Sequence, residues 1–170
     1  FAHLDVPPDI YPALHPASWR YAGEDLPMLL PRRPRSAHKG YFGHVLVIGG
    51  ELGLAGAARM AGEAAARCGA GLVSVATRAV HAGLQAAVRP ELMFHGVEHP
   101  DDLAPLMDRA TVIAIGPGLG RSDWGRVMLR VALASDKPLV IDADGLNLLS
   151  IEPAFRENWI LTPHPGEAAR

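Results

Sequence analysis

A single cysteine, Cys68, stands in 170 residues. One thiol cannot close an internal disulfide, and a chain of this length buries enough surface to need none, so a reducing compartment, the cytosol, is the expectation. No apolar run approaches the roughly 18 residues that cross a bilayer, which removes a spanning role. A surplus of positive charge is missing too. With 16 basic and 18 acidic residues the formal charge is −2, so the electrostatic footprint of a nucleic-acid binder is absent. No Cys/His set has zinc spacing, and there is no internal repeat or low-complexity tract. Residues 1–10 carry prolines and acids where a signal peptide needs a charged head and an apolar stretch. The chain also has no initiator methionine, which reads as a fragment. What is left, at 49% hydrophobic and 20% charged residues, is the composition of a soluble globular domain.

Proline is plentiful at the start. Pro7, Pro8, Pro12, Pro16, Pro27, Pro31 and Pro34 fall within the first forty residues, fixing φ and removing backbone donors, so residues 1–30 read as a linker-like segment. Its basic continuation, Arg32, Arg33, Arg35, His38 and Lys39, either meets phosphate or is a short solvated charge run.

From His44 onward short apolar runs alternate with helical stretches rich in small residues, the pattern of a parallel sheet covered on both faces. Strands are expected at 45–48, 72–77, 112–115, 139–141 and 159–161. Helices are expected at 55–68, 80–88, 100–109, 124–134 and 146–150, with Gly69 and Gly71 ending the first. The end of the chain, Pro165 to Arg170, reads as the first turn of a helix that continues further.

In a parallel sheet the ligand sits outside the C-terminal strand ends, so the residues following each strand matter most. They are Gly49-Gly50-Glu51-Leu52-Gly53, Gly116-Pro117-Gly118-Leu119-Gly120, Asp142-Ala143-Asp144-Gly145-Leu146-Asn147 and Thr162-Pro163-His164-Pro165-Gly166-Glu167. Glycines admit positive φ and close approach of main-chain donors to an anion. Asp144 serves equally as a helix cap or as a site carboxylate; were the strand to continue, Asp142 and Asp144 would share a face. His164, held between two prolines, is placed to donate to a ligand oxygen. Glu167 either complements a helix dipole or holds Mg²⁺ through water. Cys68, in an alanine-rich helix, is expected to be a buried, inert thiol.

Taken in order, His38-Lys39-Gly40, Val45-Leu46-Val47-Ile48-Gly49-Gly50, Gly56-Ala57-Ala58, Gly69-Ala70-Gly71-Leu72-Val73, Arg89-Pro90-Glu91 and the three later loops resemble the NAD(P)H-hydrate dehydratase family from about Pro31 to Arg170. Leu4-Asp5-Val6-Pro7-Pro8 resembles the exit of the epimerase domain that precedes the dehydratase in bifunctional members. The resemblance implies a ribokinase-like three-layer α/β/α fold with a mostly parallel sheet, its C-terminal part missing. It implies dehydration of the 6S hydrate of NADH or NADPH with ADP or ATP as co-substrate and Mg²⁺, and a homo-oligomer when complete. Residue by residue, it implies that Ala57, Gly118, Gly120 and His164 line the hydrated dinucleotide. Asp144 and Asn147 would add polar contacts in the same crevice, Lys39 would approach a substrate phosphate, and Glu167 would organise the metal. Two departures stand out: Ala37 separates Ser36 from His38-Lys39-Gly40, and nothing matches the family's glycine-rich anion hole with its catalytic aspartate. The 170 residues alone are therefore expected to be inactive. The competing reading is an NADP-dependent Rossmann-type oxidoreductase, prompted by Gly50-x-x-Gly53-x-x-Gly56 and by Arg78 after the second strand.

Overall fold

The computed structural model describes residues 7–15 and 20–170. The chain divides into two compact units, residues 1–37 and 38–170. In the first, the described residues form 3₁₀ turns at Pro8–Ala13 and Gly23–Asp25 and one helical turn, α1 (Leu26–Leu29). Its described side chains are exposed or half-buried throughout, as a proline-punctuated segment without an apolar period should be. Leu4-Asp5-Val6 lies outside the described residues.

The second unit carries one six-stranded sheet. Its strands are β1 (His44–Ile48), β2 (Leu72–Thr77), β3 (Met93–Gly96), β4 (Val112–Ile115), β5 (Leu139–Ile141) and β6 (Trp159–Leu161). They lie in the order β3-β2-β1-β4-β5-β6, every pair parallel. The crossovers are α2 (Ala55–Arg67), α3 (Ala79–Val88), α4 (Pro100–Arg109), α5 (Asp123–Ala134) and α6 (Ala143–Leu149), with α7 (Pro165–Ala168) last. Strand β3 is the element the sequence pattern did not announce. Its four residues, Met-Phe-His-Gly, form no apolar run, and only pairing to β2 makes them a strand.

Side chains alternate across the sheet. Leu46, Ile48, Ile113, Ile115, Leu139 and Ile141 enter a core closed by Leu103, Met128 and Leu146 of α4, α5 and α6. All six are 1% exposed or less, each burial stabilising by about 1.5–3 kcal/mol. The opposite core gathers Val47, Val73 and Val75 against Ala58. Small residues let α2 lie close: a Cβ on Gly62 would stand 3.0 Å from Val75 Cγ2. At the far edge Ile160 is 62% exposed, and the outer side of β6 pairs with no strand among the described residues.

Two local expectations change. Gly69 alone ends α2: at φ +105° its N–H donates to Ala66 O and that of Ala70 to Ala65 O, the paired bonds of a left-handed helix stop. Gly71 instead passes beneath the chain, where an added Cβ would fall 1.7 Å from Lys39 O. Cys68, expected buried, is exposed, because it caps the helix rather than facing the sheet.

One polar line interrupts the first core. His44 Nε2 lies 2.9 Å from Ser74 Oγ, which lies 3.2 Å from His95 Nε2, and Ser74 is 1% exposed. Burial, then the neighbouring His95, holds the His44 pKa below its usual 6.5; burial, then Arg109, does the same for His95. Below about pH 6.5 the unfolded chain takes up protons that the folded histidines resist, so stability is full above that value and falls as the pH drops toward the lowered folded values. Urea unfolding above about pH 7.5 and near pH 5.5 checks this. The His44→Gln/His95→Gln double variant should lose most of the difference; an unchanged acid loss would refute the assignment.

Candidate functional site

All six strands point the same way, so the loops after β1, β2, β4, β5 and β6 share one rim. The strand order reverses between β1 and β4, the place where such sheets hold ligands. There the two glycine loops interlock. Gly118 O accepts from both Gly50 N and Glu51 N at 2.8 Å, and Gly50, Gly116, Gly118 and Gly120 all have positive φ. A Cβ on Gly118 would stand 2.5 Å from Leu54 O and 3.1 Å from Ala57 Cβ. Ala57, in the first turn of α2, and the Gly118 turn thus form adjoining walls.

Polar bonds continue along the rim. Gly120 N donates to Asp144 Oδ2 at 3.1 Å, and Arg121 Nε to Asp144 Oδ1 at 3.3 Å. Asn147 Nδ2 lies 3.4 Å from the same Oδ1, and Arg170 Nη1 donates to Asn147 Oδ1 at 3.1 Å. Asp144 is therefore a bridge between the β4 loop and α6. The alternative that it caps the helix fails, because the cap position belongs to Asp142. Nor do Asp142 and Asp144 share a strand face: Ala143 turns to φ +47° and the helix begins there. Asp142 Oδ1 instead accepts from Thr162 Oγ1 at 2.8 Å, tying the β5 loop to the β6 loop.

His164 caps α7. Its Nδ1 accepts from Gly166 N at 3.0 Å and Glu167 N at 3.2 Å. A ring nitrogen that accepts carries no proton, so in the neutral ring the proton sits on Nε2. The side chain is 65% exposed, so Nε2–H reaches the rim, with the Glu167 carboxylate beside it. Glu167 Oε2 accepts from His164 N at 3.0 Å, and Oε1 lies 3.3 Å from His164 Nε2. Both carboxylate oxygens thus face His164, and the side chain is only 8% exposed. In this arrangement Glu167 braces His164, and no group of three or more His, Cys, Asp or Glu is gathered for a metal among the described residues.

Lys39 lies apart from the rim. It begins a 3₁₀ turn, Lys39–Phe42, that leads into the start of β1, so it lies at the opposite edge of the sheet. A strand of this length separates it from the rim by roughly 15 Å, and it does not join Ala57, Gly118 and His164.

The pattern of residues gave no reason to single out Glu51, Arg78 and Ser122 as one group. Glu51 Oε1 accepts from Leu52 N and Arg78 Nη1, each at 2.9 Å, while Oε2 accepts from Ser122 Oγ. Arg78 also pairs with Glu98 at 2.9 Å and lies 5.6 Å from the Trp124 ring centroid. The available signal was a carboxylate following two glycines at a strand end. Partners 27 and 71 residues away could not be read from it.

The sheet order is also that of dinucleotide-binding folds, so architecture alone does not separate the two readings. Local geometry weighs against the oxidoreductase. Gly50 N and Glu51 N already donate to Gly118 O, and Arg78 is engaged by two carboxylates. Neither is open to a dinucleotide phosphate. A family model described as NAD(P)H-hydrate dehydratase matches residues 45–170. The chain belongs to that family. It is 62% identical over 142 residues to the bifunctional NAD(P)H-hydrate repair enzyme of Coxiella burnetii, covering 84% of this chain and 29% of that protein. It is 38% identical over 157 residues to the ADP-dependent (S)-NAD(P)H-hydrate dehydratase of Neisseria meningitidis, covering 85% and 50%.

Among solved structures, a ribokinase-like superfamily protein of Enterococcus faecalis superposes with a TM-score of 0.77 at 32% identity, covering 90% of this chain and 58% of that one. The ADP/ATP-dependent NAD(P)H-hydrate dehydratase of Bacillus subtilis, co-crystallised with ATP/Mg²⁺, gives 0.67 at 32%, covering 83% and 51%. The fold is ribokinase-like. The chain spans between about a third and three fifths of the length of these relatives.

The interlocked loops can be tested directly. Gly118→Ala puts a side chain at φ +62° and against Leu54 O, and is expected to destabilise the chain by about 2–4 kcal/mol. Gly53→Ala carries similar strain with open space around it and should cost only about 1–2 kcal/mol. Equal midpoint losses in thermal melts would show that strain, not the interlock, matters at Gly118.

Proposed function

We propose that this chain forms the substrate side of an ADP- or ATP-dependent dehydratase that returns the 6S hydrate of NADH or NADPH to the reduced dinucleotide. The observation that carries this is the meeting of Ala57, Gly118, Gly120, Asp144 and Asn147 on the rim that also bears the His164 donor, together with the names of the relatives. Hydroxide is a poor leaving group. Phosphorylation of the ring hydroxyl by the nucleotide makes the departing group phosphate, and the electron pair of the ring nitrogen drives its elimination to restore the dihydropyridine. The protein's part in such chemistry is positioning and charge stabilisation.

The residues of this chain divide the work. Ala57 and Gly118 shape a wall on which the dinucleotide lies close to the main chain. Asp144 holds Gly120 in place and presents its carboxylate with Asn147 toward ligand hydroxyls. His164, with Nδ1 occupied by main-chain donors, acts by donating from Nε2 and does not take up the substrate proton. That base, and the nucleotide pocket, lie outside these residues in this reading. The 170 residues alone therefore do not turn over substrate, and Glu167, which faces His164, would organise Mg²⁺ only indirectly, through water. The reading further places the whole protein in the cytosol as a homo-oligomer, and residues 1–30 as the exit of a preceding epimerase domain.

The test uses a protein of the relatives' length. Absorbance of the dihydronicotinamide should return from the hydrate only when ADP or ATP is added. His164→Ala should lower kcat/KM by well over tenfold, a lost hydrogen bond to a charged group being worth roughly 1.5–3 kcal/mol. Nucleotide-independent recovery would overturn the reading, and an unchanged rate in a folded His164→Ala variant would remove His164 from the site.

A further inference from the structure

The His38-Lys39-Gly40 motif and His44 lie at the N-terminal edge of the sheet, from which the line continues inward to Ser74 of β2 and His95 of β3, and the dehydration chemistry uses none of them. Beside them is a cavity of about 420 Å³ lined by Gly40, His44, Leu72, Met93, Arg109 and Thr111, among others. A second cavity, lined by Lys39 and Glu91, shares Leu72 and Met93 with it. Arg109, at the end of α4, is exposed, and its guanidinium has no hydrogen bond or ion pair among the described residues. A guanidinium bordering a largely apolar cavity is suited to a planar oxyanion, which it can grip through two parallel bonds.

The polar line runs inward from the cavity. His44 Nε2 and His95 Nε2 each lie within hydrogen-bond distance of Ser74 Oγ, so one buried hydroxyl joins two half-buried rings, and the first of these rings lines the cavity together with Arg109.

We propose that this edge holds a binding pocket for a small organic anion, a carboxylate or phosphate monoester whose charged end meets Arg109 and whose apolar part lies on Leu72 and Met93. Lys39 flanks the entrance. The acids nearby are Glu91, in the adjoining cavity, and Asp108, next to Arg109 in α4. Lys137 Nζ is turned away onto Asp108 O and Ala110 O. Binding and protonation are linked: the charge of Arg109 opposes protonation of both histidines, an anion beside it relieves that opposition, and the anion therefore binds more tightly at lower pH. This site does not depend on the reading of the rim.

The test is an NMR titration of the chain with hexanoate and, separately, with inorganic phosphate, following the ring signals of His44 and His95. Saturable shifts at both histidines are expected, with affinity rising several-fold from about pH 7.5 to pH 6. Preference for hexanoate identifies the carboxylate class and preference for phosphate the ester class. Arg109→Gln, on the surface and without partners to lose, should weaken binding by roughly tenfold or more, whereas Arg130→Gln on α5 should not. Absence of saturable shifts, or shifts that persist in Arg109→Gln, would overturn the proposal.

Discussion

The structure of the rim depends on one carbonyl. Gly118 O accepts two main-chain hydrogen bonds from the β1 loop at the point where the sheet changes direction, and only glycine fits there because its backbone is left-handed and Leu54 O is too close for a Cβ. This contact removes the β1 loop's donors from solvent and makes the β1 and β4 loops one body. Ala57 and Gly120 take their places from it, and Asp144 then extends the same body to α6. A parallel sheet supplies the common edge, but the edge becomes a shaped surface only because these loops bond to one another.

That arrangement also explains why a familiar sheet order does not bring familiar chemistry. In a dinucleotide-binding fold the first glycine loop offers free N–H groups to a pyrophosphate. Here the equivalent donors are satisfied within the protein. What remains exposed is a small-residue wall, a carboxylate and amide pair, and one imidazole with its proton fixed on the outward nitrogen. Such a set suits recognition and orientation of a ligand more than proton transfer.

The two edges of the sheet differ in kind. At the C-terminal rim charges are matched: Arg78 with Glu51 and Glu98, and Arg121 with Asp144. At the N-terminal edge Arg109 is unmatched among the described residues and stands beside histidines that burial keeps neutral. The acid sensitivity of the fold and the anion pocket have their origin in the same row of side chains.

Periodicity along the chain was enough to determine five of the six strands, the helices between them and the loops that would matter, since apolar runs, small-residue helices and glycine turns are local signals. Ala57, Gly118 and His164 were legible as rim residues for that reason. Tertiary structure alone decided that Lys39 lies at the other edge, that Asp144 bridges and does not cap, that Glu167 braces His164, and that Met93–Gly96 is a strand. Each of these turns on a partner far away in sequence, such as Gly120 for Asp144 or β2 for β3. The hydrogen bond that settles a polar residue's role is formed only when distant segments meet, so residue type and spacing leave it open.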